Sequence, residues 1–260
     1  MPNKIMVGVF DDSYHNSIEE VNYLYPVPSH WYKKYNIRKY GYHGINHSYI
    51  ASCVNDLIGD KYKLISIDLD KETSICAISD GKSINTSMGF RPMSGAMMGT
   101  SSGSIDPSII PYIMESEGKN ASEIIDDLTN SSGLLGISEL SSDINDIVIS
   151  SNEGNRESKL AKDMYIRSIV NYIGSYYLLL GGCDIIVFSS SVGEKEISIR
   201  REICEYLSCL GVKIDLDINQ NTDETIKIST EDSKIQVYVI INDSELMIAR
   251  ETMNLVRNGN

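Results

Sequence analysis

Apolar runs with strand periodicity alternate along this chain with runs that repeat every three to four residues. That alternation restricts the chain to layered α/β architectures with a central sheet. Residues 6–10 predict a first short strand. Ile50, Val54, Leu57 and Ile58 predict a helix after Asn46, a capping-type residue. Residues 63–69 alternate as a strand, and residues 73–78 and 83–87 flank Asp80-Gly81, the turn signal of a hairpin. Asp106-Pro107 predicts a helix start, with Ile109, Ile110, Ile113 and Met114 on one face and Gly118 beyond its end. A further helix is expected from near Asn120 to about Leu128. A long one spans residues 156–180 and is stopped by Gly181-Gly182. Residues 184–189 read as a buried strand feeding Val192-Gly193, followed by a helix bearing Ile199, Ile203, Tyr206, Leu207 and Leu210. Residues 234–241 predict a last strand. Asp243 then caps a helix whose inward face is Leu246, Met247, the Arg250 stem and Met253.

Composition narrows the function classes. The 260 residues are 42% apolar and 23% charged, an ordinary globular balance. Lys plus Arg is 23 and Asp plus Glu is 36, a formal charge of 23 − 36 = −13. Such a chain repels phosphate backbones and anionic bilayers, so neither nucleic acid nor membrane is an expected partner; the charge itself reads as solubility. The longest apolar runs, 176–180 and 185–188, fall far short of the roughly 18 residues of a spanning helix. The opening MPNKIMVGVFDD lacks the apolar core of a secretory signal. Cys53, Cys76, Cys183, Cys204 and Cys209 are an odd count without a C-x-x-C pair, which predicts buried, reduced thiols in a cytoplasmic protein.

Four segments carry candidate chemistry. Gly41-Tyr42-His43-Gly44-Ile45-Asn46-His47 sets two histidines four apart. On a helix they could share zinc, although Gly44 disfavours helix and no third ligand lies at suitable spacing. Either histidine suits stabilising negative charge on a small substrate, or a structural hydrogen bond. Asp11-Asp12, with His15 one turn on, reads equally as a carboxylate at a strand end and as a solvated turn. The small-residue loop from Met97 to Ser104 offers backbone donors for an anion, or is a plain loop. Residues 189–195, Ser-Ser-Ser-Val-Gly-Glu-Lys, turn from strand to helix where a nucleotide could sit. No Walker, G-x-G-x-x-G or G-x-S-x-G pattern occurs.

Five segments together resemble the acetate kinase (acetokinase) family: VFDDSYHNS (9–17), RKYGYHGINHSYI (38–50), ICAISDGKSINTSMGFRPMSGAMMGTSSGSIDP (75–107), SGLLGISELSSDINDI (132–147) and ELMIARET (245–252). The resemblance implies an actin/sugar-kinase-like (ribonuclease H-like) α/β fold, essentially the carboxy-terminal domain of an acetate kinase. Residues 1–40 would be a remnant of the amino-terminal domain and interdomain segment, 41–242 the α/β domain and 243–260 a terminal helix. It also implies transfer of phosphate from ATP to acetate with Mg²⁺, giving ADP and acetyl phosphate, and a homodimer. Asp11 would be the catalytic aspartate and His43 the histidine that steadies the transition state, with His47 its neighbour. Tyr42, where the family usually has Phe, and Pro92 would line the acyl pocket. Asp143, Gly193 and Glu194 would face the nucleotide. No residue of this chain is assigned to a metal.

The departures from the family pattern cluster on phosphate and nucleotide. Its His-Leu-Gly-Asn-Gly-Ala-Ser loop reads Asp68-Leu69-Asp70-Lys71-Glu72-Thr73-Ser74, so both glycines are lost and three carboxylates are gained. The arginine of Gly-Thr-Arg-Ser-Gly-Asp is Ser101, which removes a clamp on the transferring phosphoryl group. Gly-Ile-Gly-Glu-Asn reads Ser191-Val192-Gly193-Glu194-Lys195, Asp-Met-Arg reads Asp143-Ile144-Asn145, and a magnesium-side glutamate is Ser244. The apolar periodicity and caps are intact. These features predict a truncated, inactive homologue that does not use ATP and Mg²⁺. Two alternatives stand beside it: a kinase subunit completed by a separately encoded amino-terminal chain, and a non-catalytic regulator binding a small carboxylate or a nucleotide.

Overall fold

A computed structural model describes residues 6–221 and 223–258; residues 1–5 of the opening segment lie outside them. Helices α1 (Glu20–Tyr23), α2 (Ser29–Tyr35) and α3 (Gly44–Ile58) precede strands β1 (Lys63–Leu69), β2 (Thr73–Ser79) and β3 (Lys82–Thr86). Then come α4 (Ile109–Glu117), α5 (Ala121–Asn130), α6 (Gly133–Ser138), α7 (Ile144–Asn152) and α8 (Arg156–Leu179). The chain ends with β4 (Ile185–Ser189), α9 (Ser190–Lys195), α10 (Ile197–Tyr206), β5 (Ile226–Lys227), β6 (Gln236–Val239) and α11 (Ser244–Asn258).

One six-stranded sheet, in the order β3-β2-β1-β4-β6-β5, organises these elements. β1 pairs antiparallel with β2 and parallel with β4, and β4 pairs parallel with β6. Parallel neighbours need long crossovers, which the helices between β1 and β4 and between β4 and β6 supply. β4 is buried along its whole length, as expected of a strand covered on both faces. On one face Ile65, Ile67 and Phe188 pack against Ile166, Ile169 and Ile173 of α8. On the other, Leu64, Ile78 and Val187 meet Ile50, Ala51 and Val54 of α3. Each such side chain contributes about 1.5–3 kcal/mol by leaving water.

The β2–β3 hairpin turns at Asp80 (φ 49°) and Gly81 (φ 76°), the two left-handed residues a tight hairpin requires. α8 covers the long periodic stretch and stops at Gly181 and Gly182, both with positive φ. The capping box of α5 joins the Asn120 side chain to the Glu123 amide and the Glu123 side chain to the Asn120 amide.

Four local expectations fail, and one on the thiols holds only in part. Residues 6–10 form no strand: they pair with nothing described, and Met6 and Phe10 are 93% and 72% exposed. A strand needs a neighbour as well as apolar residues. α3 begins at Gly44, so Asn46 lies in its first turn rather than at its cap. α4 begins at Ile109, not at Asp106: the Asp106 carboxylate accepts from the Ser108 amide (2.8 Å) and hydroxyl (2.7 Å), closing a separate turn first. On α11 only Met247 of the expected inward face is buried; Leu246 and Met253 are exposed and Arg250 donates to Ser52 Oγ (3.2 Å), because the helix rests chiefly on α3. All five cysteines are free, but Cys209 is exposed and Cys53 half-buried.

Candidate functional site

Parallel pairing of β1 with β4 brings Asp68 opposite Ser189 at the same sheet end. The β1–β2 turn, the β4–α9 junction and the first turn of α3 meet there, the position where open α/β sheets place ligands. Asp11 lies at the start of α3: its carboxylate accepts from the backbone amides of His43 (2.6 Å) and Ile45 (3.2 Å). An anion suits the unpaired donors and positive dipole end of a helix N-terminus. Gly44 permits this approach, since a Cβ there would overlap the Asp11 carbonyl oxygen. His15, buried beneath, pairs with Ser83 Oγ (2.9 Å) and the Tyr42 carbonyl (3.0 Å).

His43, in left-handed backbone (φ 59°), is held between two carboxylates. Nδ1 donates to Asp68 Oδ2 (3.0 Å) and Nε2 to Glu72 Oε2 (3.1 Å). Burial opposes a charge on the ring, but the two hydrogen bonds and the attraction of both carboxylates prevail and raise its pKa to about 10. The ring is therefore an imidazolium at neutral pH. Asp68 is itself buried, which favours the neutral acid, yet its bond to His43 holds it below the usual carboxylate range. Glu72 is lowered by its own hydrogen bond to His43, at the other ring nitrogen.

His47, one turn along α3, has the opposite character. It is fully buried between Ser66 Oγ and Ser74 Oγ (2.9 Å each), and burial lowers its pKa to about 3. The two histidines thus commit their ring nitrogens to different partners and do not converge on a shared metal.

Asn46 is a site residue missed by sequence reasoning. Its Nδ2 reaches Asp68 Oδ2 (2.7 Å), Ser189 Oγ (3.1 Å) and Ser190 Oγ (3.2 Å), and its Oδ1 is buried without a hydrogen-bond partner among the described residues. Its place three residues after His43, and so on the same helix face, was the available signal. Across the cleft Asp70 Oδ1 accepts from the Ser191 hydroxyl (2.7 Å) and from the Lys71 amide (2.8 Å). The Asp70 amide donates to the Glu72 carbonyl (3.0 Å). The turn therefore spends amides at 70 and 71 on itself.

Three open spaces surround this network. One, of about 260 Å³, is lined by Asp11, His43, Asn46, Asp68 and Asp70. A second, of about 570 Å³, is lined by Asp70, Asp143, Asn145, Tyr165, Ser191 and Glu196. Asp143 also accepts from the Asn145 amide at the start of α7 (2.9 Å). Gly193 and Glu194 lie behind that cleft: Glu194 Oε1 accepts from the amides of Ser190 (2.9 Å) and Asn242 (2.8 Å). Arg200, also unanticipated, is completely buried and donates to the carbonyls of Gly193 (3.0 Å) and Glu194 (2.6 Å), fixing the α9 segment from below.

The third space, about 220 Å³, is lined by Lys71, Glu72, Arg91, Pro92, Met93 and Ser101, among others. Tyr42 is not among its walls; its hydroxyl donates to the Phe90 carbonyl (3.2 Å). Ser101 is buried and donates to the Met93 carbonyl (3.1 Å). In the loop from Met97 to Ser104, the amides of Met98, Gly99, Ser102 and Ser104 donate to protein carbonyls.

The sequence model described as "Acetokinase family" matches residues 1–250. Acetate kinases of Carboxydothermus hydrogenoformans and Dictyoglomus thermophilum are 43% and 44% identical to this chain, covering 99% and 98% of it and 65% of each relative. The chain thus spans a little under two thirds of their length. The crystal structure of Porphyromonas gingivalis acetate kinase superposes with a TM-score of 0.92 at 35% identity, over 96% of this chain and 63% of that one. A propionate kinase from Francisella tularensis gives 0.89 at 37% identity, over 94% and 62%. The expected kinase-type α/β fold is therefore present, and the chain belongs to the acetokinase family.

Proposed function

We propose that this chain is an acetokinase-family protein that does not carry out the family's phosphoryl transfer, and that it persists as a folded, ligand-binding homologue. The observation that carries this reading is the ion triad Asp68–His43–Glu72. A histidine that is to steady charge on a transferring phosphoryl group needs a ring N–H free to reach it. Here both ring nitrogens are bound to carboxylates of the chain itself.

The residues present do not fit Mg²⁺·ATP. A polyphosphate would meet Asp68, Asp70 and Glu72 where neutral backbone donors are required, and the turn's Asp70 and Lys71 amides are already spent. Asp11, as the start of α3 holds it, orients the His43 and Ile45 amides rather than facing a reacting group alone. The 570 Å³ cleft between Asp143 and Ser191 remains open to a small molecule, a nucleotide base or a short carboxylate being the candidates the family resemblance supplies.

The juxtaposition of Asp11 and His43 also supports a second reading, in which a separately encoded amino-terminal acetokinase chain completes the site. Acetyl phosphate formation from acetate, ATP and Mg²⁺, measured for the chain alone and with such a partner, separates the two. No turnover is expected in either mixture, and turnover in either one overturns the inactive reading. A homodimer and a cytoplasmic location complete the proposal; no helix of the described residues is long and apolar enough to cross a membrane.

A further inference from the structure

Glu72 stands on the wall between two spaces. Its carboxylate reaches His43 on one side, and on the other it lines the 220 Å³ cavity together with Lys71 and Arg91. Among the described residues neither the Lys71 ammonium nor the Arg91 guanidinium has a hydrogen bond or ion pair to an anion. Both cations line the same cavity as Glu72. Pro92, Met93, Met98 and Ile125 give the cavity an apolar side, and Thr100, Ser101, Thr129 and Asn130 a polar, uncharged one. The two carboxylates on His43 differ as well. Asp68 is buried and fixed by Asn46, whereas the Glu72 side chain is 56% exposed at the end of a turn and accepts no bond other than that from His43 among the described residues.

We propose that the Glu72 carboxylate, bound to His43, fills one edge of a small-oxyanion site that continues into the cavity lined by Lys71 and Arg91, and that inorganic phosphate bridges from His43 to these two cations when Glu72 is removed. This rests on the reading that phosphoryl transfer does not operate in the chain as it stands, and it supplies a cause: the anion place is filled from within. Removing Glu72 leaves His43 charged through Asp68 and turns its Nε2–H toward an incoming anion. Arg91 then supplies a forked donor and Lys71 a second cation.

Calorimetric titration of inorganic phosphate into the full chain at fixed pH and ionic strength tests this. Glu72→Ala should bind phosphate about tenfold or more tightly than the parent, the scale of removing one close, partly exposed like charge. Glu72→Gln, which keeps an acceptor for His43, should gain less. Adding Arg91→Gln to Glu72→Ala should abolish the gain. A Glu72→Ala affinity within twofold of the parent overturns the proposal, and so does a gain that Arg91→Gln leaves intact. Glu72 is exposed on a turn, so unchanged circular dichroism and melting verify that each variant is folded. The acetyl phosphate assay fails separately: turnover by the parent chain refutes inactivity, whereas an unresponsive Glu72→Ala in an inert chain refutes only the internal occupant.

Discussion

Three of the four histidines, His15, His43 and His47, are near neighbours, with the His15 and His47 rings 6.0 Å apart, and their partners shift them in opposite directions. His15 and His47 face hydroxyls and a carbonyl in the interior, and burial lowers both pKa values, that of His47 to about 3. His43 faces two carboxylates and is raised to about 10. Against an unfolded value near 6.5, the buried pair takes up protons first in the unfolded chain, so stability falls as pH drops from about 6.5 toward 3. The contribution of His43 has the other sign: it is complete below about 6.5 and is lost as pH rises through 10. Asp68, held low, adds a loss at the acid end once its proton returns. Urea unfolding between about pH 6.5 and 4.5 should show an unfolding free energy that falls with acidity, by up to about 1.4 kcal/mol per pH unit for each buried histidine. His47→Gln should flatten that slope whatever it does to stability at neutral pH; an unchanged slope would show that His47 is not the group responsible.

At the scale of elements, α3 shows how one glycine positions a site. A Cβ at Gly44 would meet the Asp11 carbonyl, so Gly44→Ala should force Asp11 away from the α3 amides and destabilise by about 1–3 kcal/mol in chemical denaturation. Gly174, inside α8 with open space around it, is the contrast: Gly174→Ala should stabilise by about 0.5–1 kcal/mol. Equal effects at the two positions would remove the steric argument. The same contrast marks what was legible in the sequence. The hairpin at Asp80-Gly81 and the span of α8 depend on neighbours in sequence, and both were read closely. Residues 6–10 and the face of α11 depend on what lies opposite them in space, and both were misread. The site divides likewise. The motif around His43 was visible, and so was the excess of carboxylates at 68, 70 and 72. That two of those carboxylates turn onto His43, while Asn46 and Arg200 brace the surroundings, follows only from β1 lying beside β4.

For the whole molecule, the proposed homodimer gives a direct measurement. Light scattering should report twice the 29.0 kDa chain mass, and a single-chain mass would refute it. Leu160 (52% exposed), Met164 (42%) and Leu178 (78%) are exposed apolar residues on one face of α8, where Arg167 and Asn171 separate Met164 from Leu178. The network at the sheet end has a consequence for descent as well as for chemistry. The family pattern has glycine at both 70 and 191, and here the two replacements hydrogen-bond each other across the cleft. Restoring glycine at 191 alone takes from the Asp70 carboxylate its cross-cleft donor, and restoring it at 70 alone leaves the exposed Ser191 hydroxyl to water, so the two positions are coupled through this bond. A change at either position therefore alters the bond that the other makes across the cleft.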